Sequence, residues 1–271
     1  MGSVSNSSFD AYAAYGLSSS PPATPLPVYQ HQHGITHGIR PLPPTPQARR
    51  KPVPMSSRLI SFTTCELSDA LIKLGSKSGG FIPGITLRSE GKICASAYTV
   101  QMALASHDSP PLSEHFVDTV PAGAAIVIDV PPQAQNAAWG GLMSAGAIAR
   151  SAVGVVISGR FRDLAEQREL KFPVYARGHS TLGQSPFTRP VAINVPLVIS
   201  PPDNSDFPPV TVRPGDYIVA DEDGVVCVPQ EMEVIVADTA EQGRAIDQLC
   251  MEDIKAGKGI KATFMKYRGK K

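Results

Sequence analysis

Between Ala124 and Gly178 apolar runs of strand length alternate with two segments of helical length, and this alternation constrains the fold more than any other feature. The runs Ala124–Val130, 153–158 and 173–176 are strand-length and rich in valine and isoleucine. The stretches of about 141–151 and 163–170 between them have helical spacing and length. Strands separated by helices in this rhythm need crossover connections, which build a parallel sheet with helices laid on it. The expected class is therefore α/β with a partly parallel central sheet.

The flanking sequence adds smaller elements. A helix is expected over Cys65–Leu74, with Thr63 or Thr64 as its cap and Gly75 as its stop. Ile82-Pro-Gly-Ile reads as a turn, Cys94–Leu104 as a strand and Pro111–Thr119 as a short helix. Beyond Gly178, Val191–Ile199, Val210–Val212, Tyr217–Ala220 and Val225–Pro229 read as short strands. They are joined by the turn sequences Arg213-Pro-Gly-Asp216 and Asp221-Glu-Asp-Gly224, with Asn204–Pro209 as a surface insertion. A helix from Gln230 to Ala256 follows, and the Lys/Arg-rich end after Gly257 reads as solvated tail.

Residues 1–57 have a different composition. They hold ten of the chain's 26 prolines and a single acidic residue, Asp10. Such a segment cannot bury enough apolar surface to offset its ordering entropy, so a disordered arm is expected before a domain at 58–271. His31, His33 and His37, and the basic step Arg49-Arg50-Lys51, read as features of that arm rather than as a metal site. Net charge over the 271 residues is +1, which gives no electrostatic case for nucleic acid or an anionic membrane. The apolar runs are too short to span a membrane. Four scattered cysteines without a C-x-x-C pair argue for a reduced, intracellular protein and against structural zinc. A cytoplasmic location is expected, with a mitochondrial one as the alternative because the arm is poor in acid and rich in serine.

Chemistry is expected where loops leave the carboxyl ends of parallel strands. One such loop, Asp129–Trp139, runs into Gly140-Gly-Leu-Met143 at the start of a helix. Glycines allow close backbone approach, and a helix start offers free N–H groups and partial positive charge, so this is a candidate cradle for a carboxylate. Gly140 and Gly141 could equally serve only to turn the loop. The second loop, Ser158–Asp163, ends in Arg162-Asp163, with Glu166 placed to form a capping box with Asp163. Against that structural role, Arg162 is a donor fork suited to carboxylate or carbonyl oxygen, and a lone carboxylate with open water positions suits magnesium. Asp221-Glu-Asp-Gly lacks a carboxylate at its twelfth position, Met232, and reads as a hairpin turn rather than a calcium loop. His107, Asp108 and His115 are acid/base candidates by residue type alone, and Trp139 could wall a pocket or simply pack.

Gly140-Gly-Leu-Met143, Gly154-Val-Val-Ile-Ser158 and Arg162-Asp163 together resemble the family of class II 4-hydroxy-4-methyl-2-oxoglutarate aldolases, which includes the regulator of ribonuclease E activity. The similarity continues through Leu170–Gly178, Val212–Asp216 and Ala220–Pro229, and covers roughly 60–260. The resemblance implies a swivelling β/β/α-type fold and a homotrimer or hexamer with sites at subunit boundaries. It implies a metal-dependent lyase that releases pyruvate from a 4-hydroxy-2-oxo acid by retro-aldol cleavage, with oxaloacetate decarboxylation as a related activity. Asp163 would bind Mg2+ or Mn2+. Arg162 would bind substrate and act in catalysis, and Gly140, Gly141, Leu142 and Met143 would hold the pyruvyl carboxylate. The family also draws an acidic residue from a neighbouring subunit's C-terminal helix; Glu241, Asp247 and Glu252 are the candidates, with Asp247 preferred. One departure stands out: the aldolases usually have an acidic residue where this chain has Gly141. A non-catalytic, protein-binding regulator on the same scaffold is the alternative.

Overall fold

The computed structural model describes residues 57–202 and 205–269. The chain divides into units at 1–49 and 50–271, and all described residues lie in the second. The arm expected at 1–57, with its histidines and basic step, therefore lies almost wholly outside them.

Helix α1 (Thr64–Lys73) starts on a capping box: Thr63 Oγ1 accepts from Glu66 N–H, and the Glu66 carboxylate accepts from Thr63 N–H. Gly75, at φ +95°, supplies the left-handed residue that lets the chain leave it. Strand β1 (Thr86–Leu87) is short, and β2 (Ile93–Leu104) is the longest strand. The helix expected at Pro111–Thr119 is corrected to a single 3-10 turn at Phe116–Thr119, because no residue of 111–115 is buried and a helix there would have no apolar face to pack. Then come β3 (Ala125–Asp129), β4 (Ala137–Trp139), α2 (Gly141–Ala149), β5 (Gly154–Phe161), α3 (Leu164–Leu170) and β6 (Val174–His179).

The strand expected over Val191–Ile199 is two, β7 (Thr188–Ile193) and β8 (Leu197–Ile199), broken where Asn194 takes φ +53°. The remaining strands are β9 (Val210–Val212), β10 (Tyr217–Asp221) and β11 (Gly224–Val228). A 23-residue helix, α4 (Glu233–Lys255), precedes a further helix, α5 (Ile260–Arg268), in the segment expected to be solvated tail. That expectation is corrected by two tethers to α4: Arg268 Nε donates to Asp247 Oδ1 at 3.0 Å, and Lys258 and Lys266 both pair with Asp253.

The main sheet runs β1-β6-β5-β3-β2-β10-β11, with β4 added to β5 and β7 to β2. Its centre is parallel, as the alternating pattern requires: β2 with β3, β3 with β5, and β5 with β6. Segment 81–88 bridges the two edges, since Ile82 N–H donates to the Val225 carbonyl in β11 while Thr86 and Leu87 pair with β6. The sheet is thus nearly closed. Alternate residues of the central strands feed different cores, which explains why these strands read as continuous apolar runs. Ala125, Val127 and Val156 face an interior lined by Ile218, Val225 and Leu197. Ile126, Ile128, Val155 and Ile157 face Phe116, Trp139, Ala147 and Phe172. A third core lies between α1, α4 and β11, around Leu67, Leu71, Val228 and Val236. No helix among the described residues is long and apolar enough to cross a membrane.

Candidate active site

The parallel strands β3 and β5 end beside one another and deliver their loops to the starts of α2 and α3. The loop after β3 is not wholly irregular. Ala137–Trp139 adds β4 to β5, and Trp139 O accepts from Arg162 N–H at 2.9 Å. This short pairing, which the sequence pattern did not show, brings Gly140 against Arg162-Asp163. Trp139 is 2% exposed, and its indole N–H donates to Ser144 Oγ at 2.7 Å. Ser144 Oγ in turn donates to Gln167 Oε1 at 2.6 Å, tying α2 to α3 behind the site.

Asp163 does not cap its own helix. It takes left-handed angles, φ 64° and ψ 49°, and makes no side-chain bond to the first turn of α3. The expected capping box with Glu166 is therefore corrected. The left-handed turn sends the Asp163 carboxylate across to α2, where Oδ2 accepts from Gly141 N–H at 3.0 Å. A carboxylate there meets the positive end of the α2 dipole, which offsets the backbone strain of a non-glycine residue in that region. Arg162 Nε lies 3.4 Å from the same oxygen.

Side chains from the Arg162-Asp163 loop and from α3 rest directly on the two glycines. A Cβ on Gly140 would lie 2.5 Å from Asp163 Oδ2, and one on Gly141 would lie 1.7 Å from Glu166 Oε2. Neither glycine has a positive φ, so what marks them is the close approach of these side chains rather than backbone freedom; at 140 the Asp163 carboxylate is fixed by its bond to Gly141 N–H, whereas at 141 the exposed Glu166 side chain would have to swing aside for a Cβ. Glu166 thus fills the place where a side chain at 141 would begin. Sequence reasoning assigned Glu166 only to a cap; the signal available was its spacing, three residues beyond Asp163, paired with an unusual glycine at 141.

The cradle is narrower than expected. Gly141 N–H is used by Asp163, and Met143 N–H bonds the Gly140 carbonyl at 3.1 Å, closing a tight first turn. Leu142 N–H is the one left without an acceptor among the described residues. In front of it is a cavity of about 110 Å³ lined by Ala137, Ala138, Trp139, Gly140, Leu142, Met143, Arg162, Asp163 and Gln184. The structure therefore brings together Gly140, Leu142, Met143, Arg162 and Asp163, with Gly141 and Glu166 beside them.

Asp247 lies elsewhere within the chain. It lines a groove between α1, α4 and α5 and is held by Arg268. Glu241 pairs with Arg58 on the same side of the molecule. His115 is structural: Nδ1 accepts from Val117 N–H and the ring stacks on Phe116. His107 lines a separate cavity with Gln101 and Met102. Asp221 is a helix anchor in a hairpin, as the turn reading expected: it accepts from Thr64 N–H and Oγ1 and from Asp223 N–H.

No group of three or more His, Cys, Asp or Glu side chains suited to a metal occurs among the described residues. Magnesium does not need one, since it keeps several waters and takes one or two carboxylates. Asp163 and Glu166 are hard oxygen donors over adjacent glycines, and only one Asp163 oxygen is engaged by the chain. This donor set fits such an ion.

Fold and site define an α/β protein in which a helix start and a strand-end Arg-Asp pair share one cavity. The chain belongs to the RraA-like family (Aldolase/RraA), whose model matches residues 64–227. A protein of Halalkalibacterium halodurans provisionally named 4-hydroxy-4-methyl-2-oxoglutarate aldolase is 32% identical over 186 residues, 69% of this chain and 81% of that protein. Protein DlpA of Legionella pneumophila is 30% identical over 180 residues, 64% of this chain, but the match spans only 27% of its length. Among solved structures, Streptomyces coelicolor RraAS2, described as an unusual member of the RNase ES inhibitor RraA family, superposes with TM-score 0.62 at 25% identity, over 70% of this chain and 93% of that one.

Proposed function

We propose that the protein is a divalent-metal-dependent lyase that cleaves a 4-hydroxy-2-oxo acid to pyruvate, with oxaloacetate decarboxylation open to the same site. The observation that carries this reading is the seating of Asp163 and Glu166 over Gly140 and Gly141, beside Arg162 and the unused Leu142 N–H. Family membership and the name of the H. halodurans relative support a lyase of this kind.

Asp163 would hold Mg2+ or Mn2+, which keeps several waters and needs only one or two carboxylates. When bound, such an ion supplies Lewis-acid stabilisation of the negative charge that develops on the 2-oxo oxygen. Leu142 N–H, at the positive end of α2, binds the substrate carboxylate. Arg162 donates to the C4 oxygen and favours the alkoxide charge that forms there as its proton leaves, ahead of C3–C4 cleavage. Glu166, directly or through one water, takes the C4 hydroxyl proton and returns a proton to C3. No lysine lines the cavity, so a Schiff base has no candidate.

Glu166 also answers the feature that favoured a non-catalytic regulator, the lack of an acid at 141. Asp247 is bound by Arg268 in its own chain, so it could serve only across a subunit boundary. In a trimer or hexamer with the site at such a boundary, Leu142, 81% exposed at the cavity mouth, would be covered. The test is pyruvate release from 4-hydroxy-4-methyl-2-oxoglutarate, 4-hydroxy-2-oxopentanoate and oxaloacetate, with and without added Mg2+ or Mn2+. Metal-dependent release is expected from at least one. Turnover unchanged in excess chelator would sink the assignment.

A further inference from the structure

Behind the cavity runs a hydrogen-bond chain that ends in an unpaired group. Trp139 packs against Phe116 and Phe172, with ring centroids 6.3 and 6.2 Å away, so its indole N–H needs an acceptor inside the core. Ser144, 0% exposed, supplies it at 2.7 Å. An indole N–H can only donate, so the Ser144 oxygen accepts there and its single hydrogen must go elsewhere. It goes to Gln167 Oε1 at 2.6 Å.

Satisfying the indole does not explain Gln167. A serine inside a helix can give its hydrogen to a carbonyl of its own preceding turn. Gln167 is buried, and its Nε2 has no hydrogen-bond partner among the described residues. An amide there meets one polar atom and strands another, a cost that an apolar side chain of similar length would avoid. What the amide provides is a tie between the two helices that carry the site. Ser144 belongs to α2, where its N–H donates to the Gly140 carbonyl at 3.2 Å. Gln167 belongs to α3, directly after Glu166, and its N–H donates to the Asp163 carbonyl at 3.0 Å. The circuit closes at the cavity, where Arg162 N–H donates to Trp139 O and Gly141 N–H to Asp163 Oδ2.

We propose that Gln167 is a positioning residue of this site. Through Ser144 it holds the start of α3 against the start of α2, and so sets how Asp163 and Glu166 stand to Leu142 N–H and to a divalent ion. Gln167 is not among the residues that line the cavity, so it acts through the residues it ties and not by touching a ligand. Without its oxygen, the Ser144 hydrogen turns to its own helix and the tie is lost. For its effect on rate the proposal rests on the lyase reading; its effect on ion affinity is read with the metal alone.

The experiment cuts the tie from either side in the full chain. Gln167→Met removes the acceptor at nearly constant length, and Ser144→Ala removes the hydroxyl. Mn2+ affinity, read from the EPR signal of the free ion, should weaken about tenfold in each. The double variant should be no more than about twofold weaker than either single one, since both remove one tie. On whichever of the three oxo acids is turned over, kcat at saturating Mn2+ should fall about tenfold in Gln167→Met with KM within about threefold. Emission of Trp139, the chain's single tryptophan, should shift in Ser144→Ala as the indole loses its acceptor. Constants are taken per folded molecule, so lost stability does not imitate the effect. Gln167→Met with a lowered thermal midpoint but with Mn2+ affinity and kcat within about twofold of wild type overturns the proposal, as a purely structural glutamine would give. Losses that multiply in the double variant overturn it too. Wild type that binds Mn2+ yet releases no pyruvate from any of the acids overturns the lyase reading, and ion affinity then decides Gln167. No Mn2+ binding by wild type overturns both.

Discussion

Asp163, two residues past β5, and Asp221, the last residue of β10, both reach the first turn of a helix remote in sequence, yet their surroundings differ in kind. Asp221 is 3% exposed and has both oxygens engaged: Oδ1 with Thr64 Oγ1 at 2.6 Å and Asp223 N–H at 3.1 Å, Oδ2 with Thr64 N–H at 3.0 Å. Asp163 has one oxygen engaged, by Gly141 N–H and loosely by Arg162, and its side chain is 31% exposed on a cavity. A saturated carboxylate in a protein interior can only hold the fold together. One that keeps an unused oxygen, beside a cation and an unused N–H, can hold a ligand. Helix anchoring by a distant aspartate is thus common to both, and what separates them is how much of the carboxylate the chain leaves over.

The sharpest way to break this contrast is to remove each carboxylate in turn. Asp163→Ala should lower metal-dependent pyruvate release by about 10³-fold or more, since it removes the proposed ion's main ligand. Its stability should fall by only ~1 kcal/mol, the loss of one half-exposed helix anchor, read from urea unfolding. Asp221→Ala should do the reverse, costing about 2–3 kcal/mol by leaving buried Thr64 donors unpaired, with kcat per folded molecule within about twofold of wild type. Equal effects on stability would erase the distinction.

The next test concerns the acid that the chain carries on α3 rather than at 141. Glu166→Ala should cut kcat by about 10²-fold with little change in thermal midpoint, the usual scale for a proton-transfer group. Gly141→Asp alone should also be impaired, because its Cβ would displace the Glu166 carboxylate from its seat. The double variant Gly141→Asp, Glu166→Ala should recover to within about tenfold of wild type. A double variant no better than the worse single one would show that the two positions do not share a space.

The smallest effect belongs to a third strand-end carboxylate, Asp129, which lies between the two in character. Burial raises its pKa, although a 2.5 Å hydrogen bond from Ser158 and the charge of Arg177 oppose the shift. A carboxyl with a raised folded-state value contributes stability fully present below its unfolded value and lost as pH rises through the folded one. The Asp129 contribution should therefore decline as pH rises through the acidic range, against the opposite trend of Glu66 and Asp253, whose pKa values Arg244 and Lys258 lower, so the stability of wild type relative to Asp129→Asn should fall over that range. Thermal midpoints measured from pH 4 to 7 provide the check.

Much of the fold was legible because its signals are local. Valine- and isoleucine-rich runs of strand length, separated by helical spacing, can be satisfied by little except buried parallel strands, and β3, α2, β5, α3 and β6 fall where that pattern puts them. Thr63 and Glu66 carry their cap in the sequence, as Asp221-Glu-Asp-Gly224 carries its turn. Elements whose reason is a distant partner were not legible. Strand β4 exists because Ala137–Trp139 finds the end of β5, and α5 exists because Asp247 and Asp253 offer its basic residues an anchor on α4.

The site divides along the same line. The sequence by itself determined that Gly140–Met143 opens one helix and Arg162-Asp163 the other, and that both loops leave the same sheet edge, because residue type and spacing specify helix starts and strand ends. Only the tertiary structure decided what each residue does there. Asp163 and Glu166 spell a local capping box, and in one dimension nothing competes with that reading. In three dimensions α2 lies alongside α3, and Gly140 and Gly141 leave room for side chains. The unfilled N–H of Gly141 draws Asp163 away from its own helix, while Glu166 settles into the space a side chain at 141 would have taken.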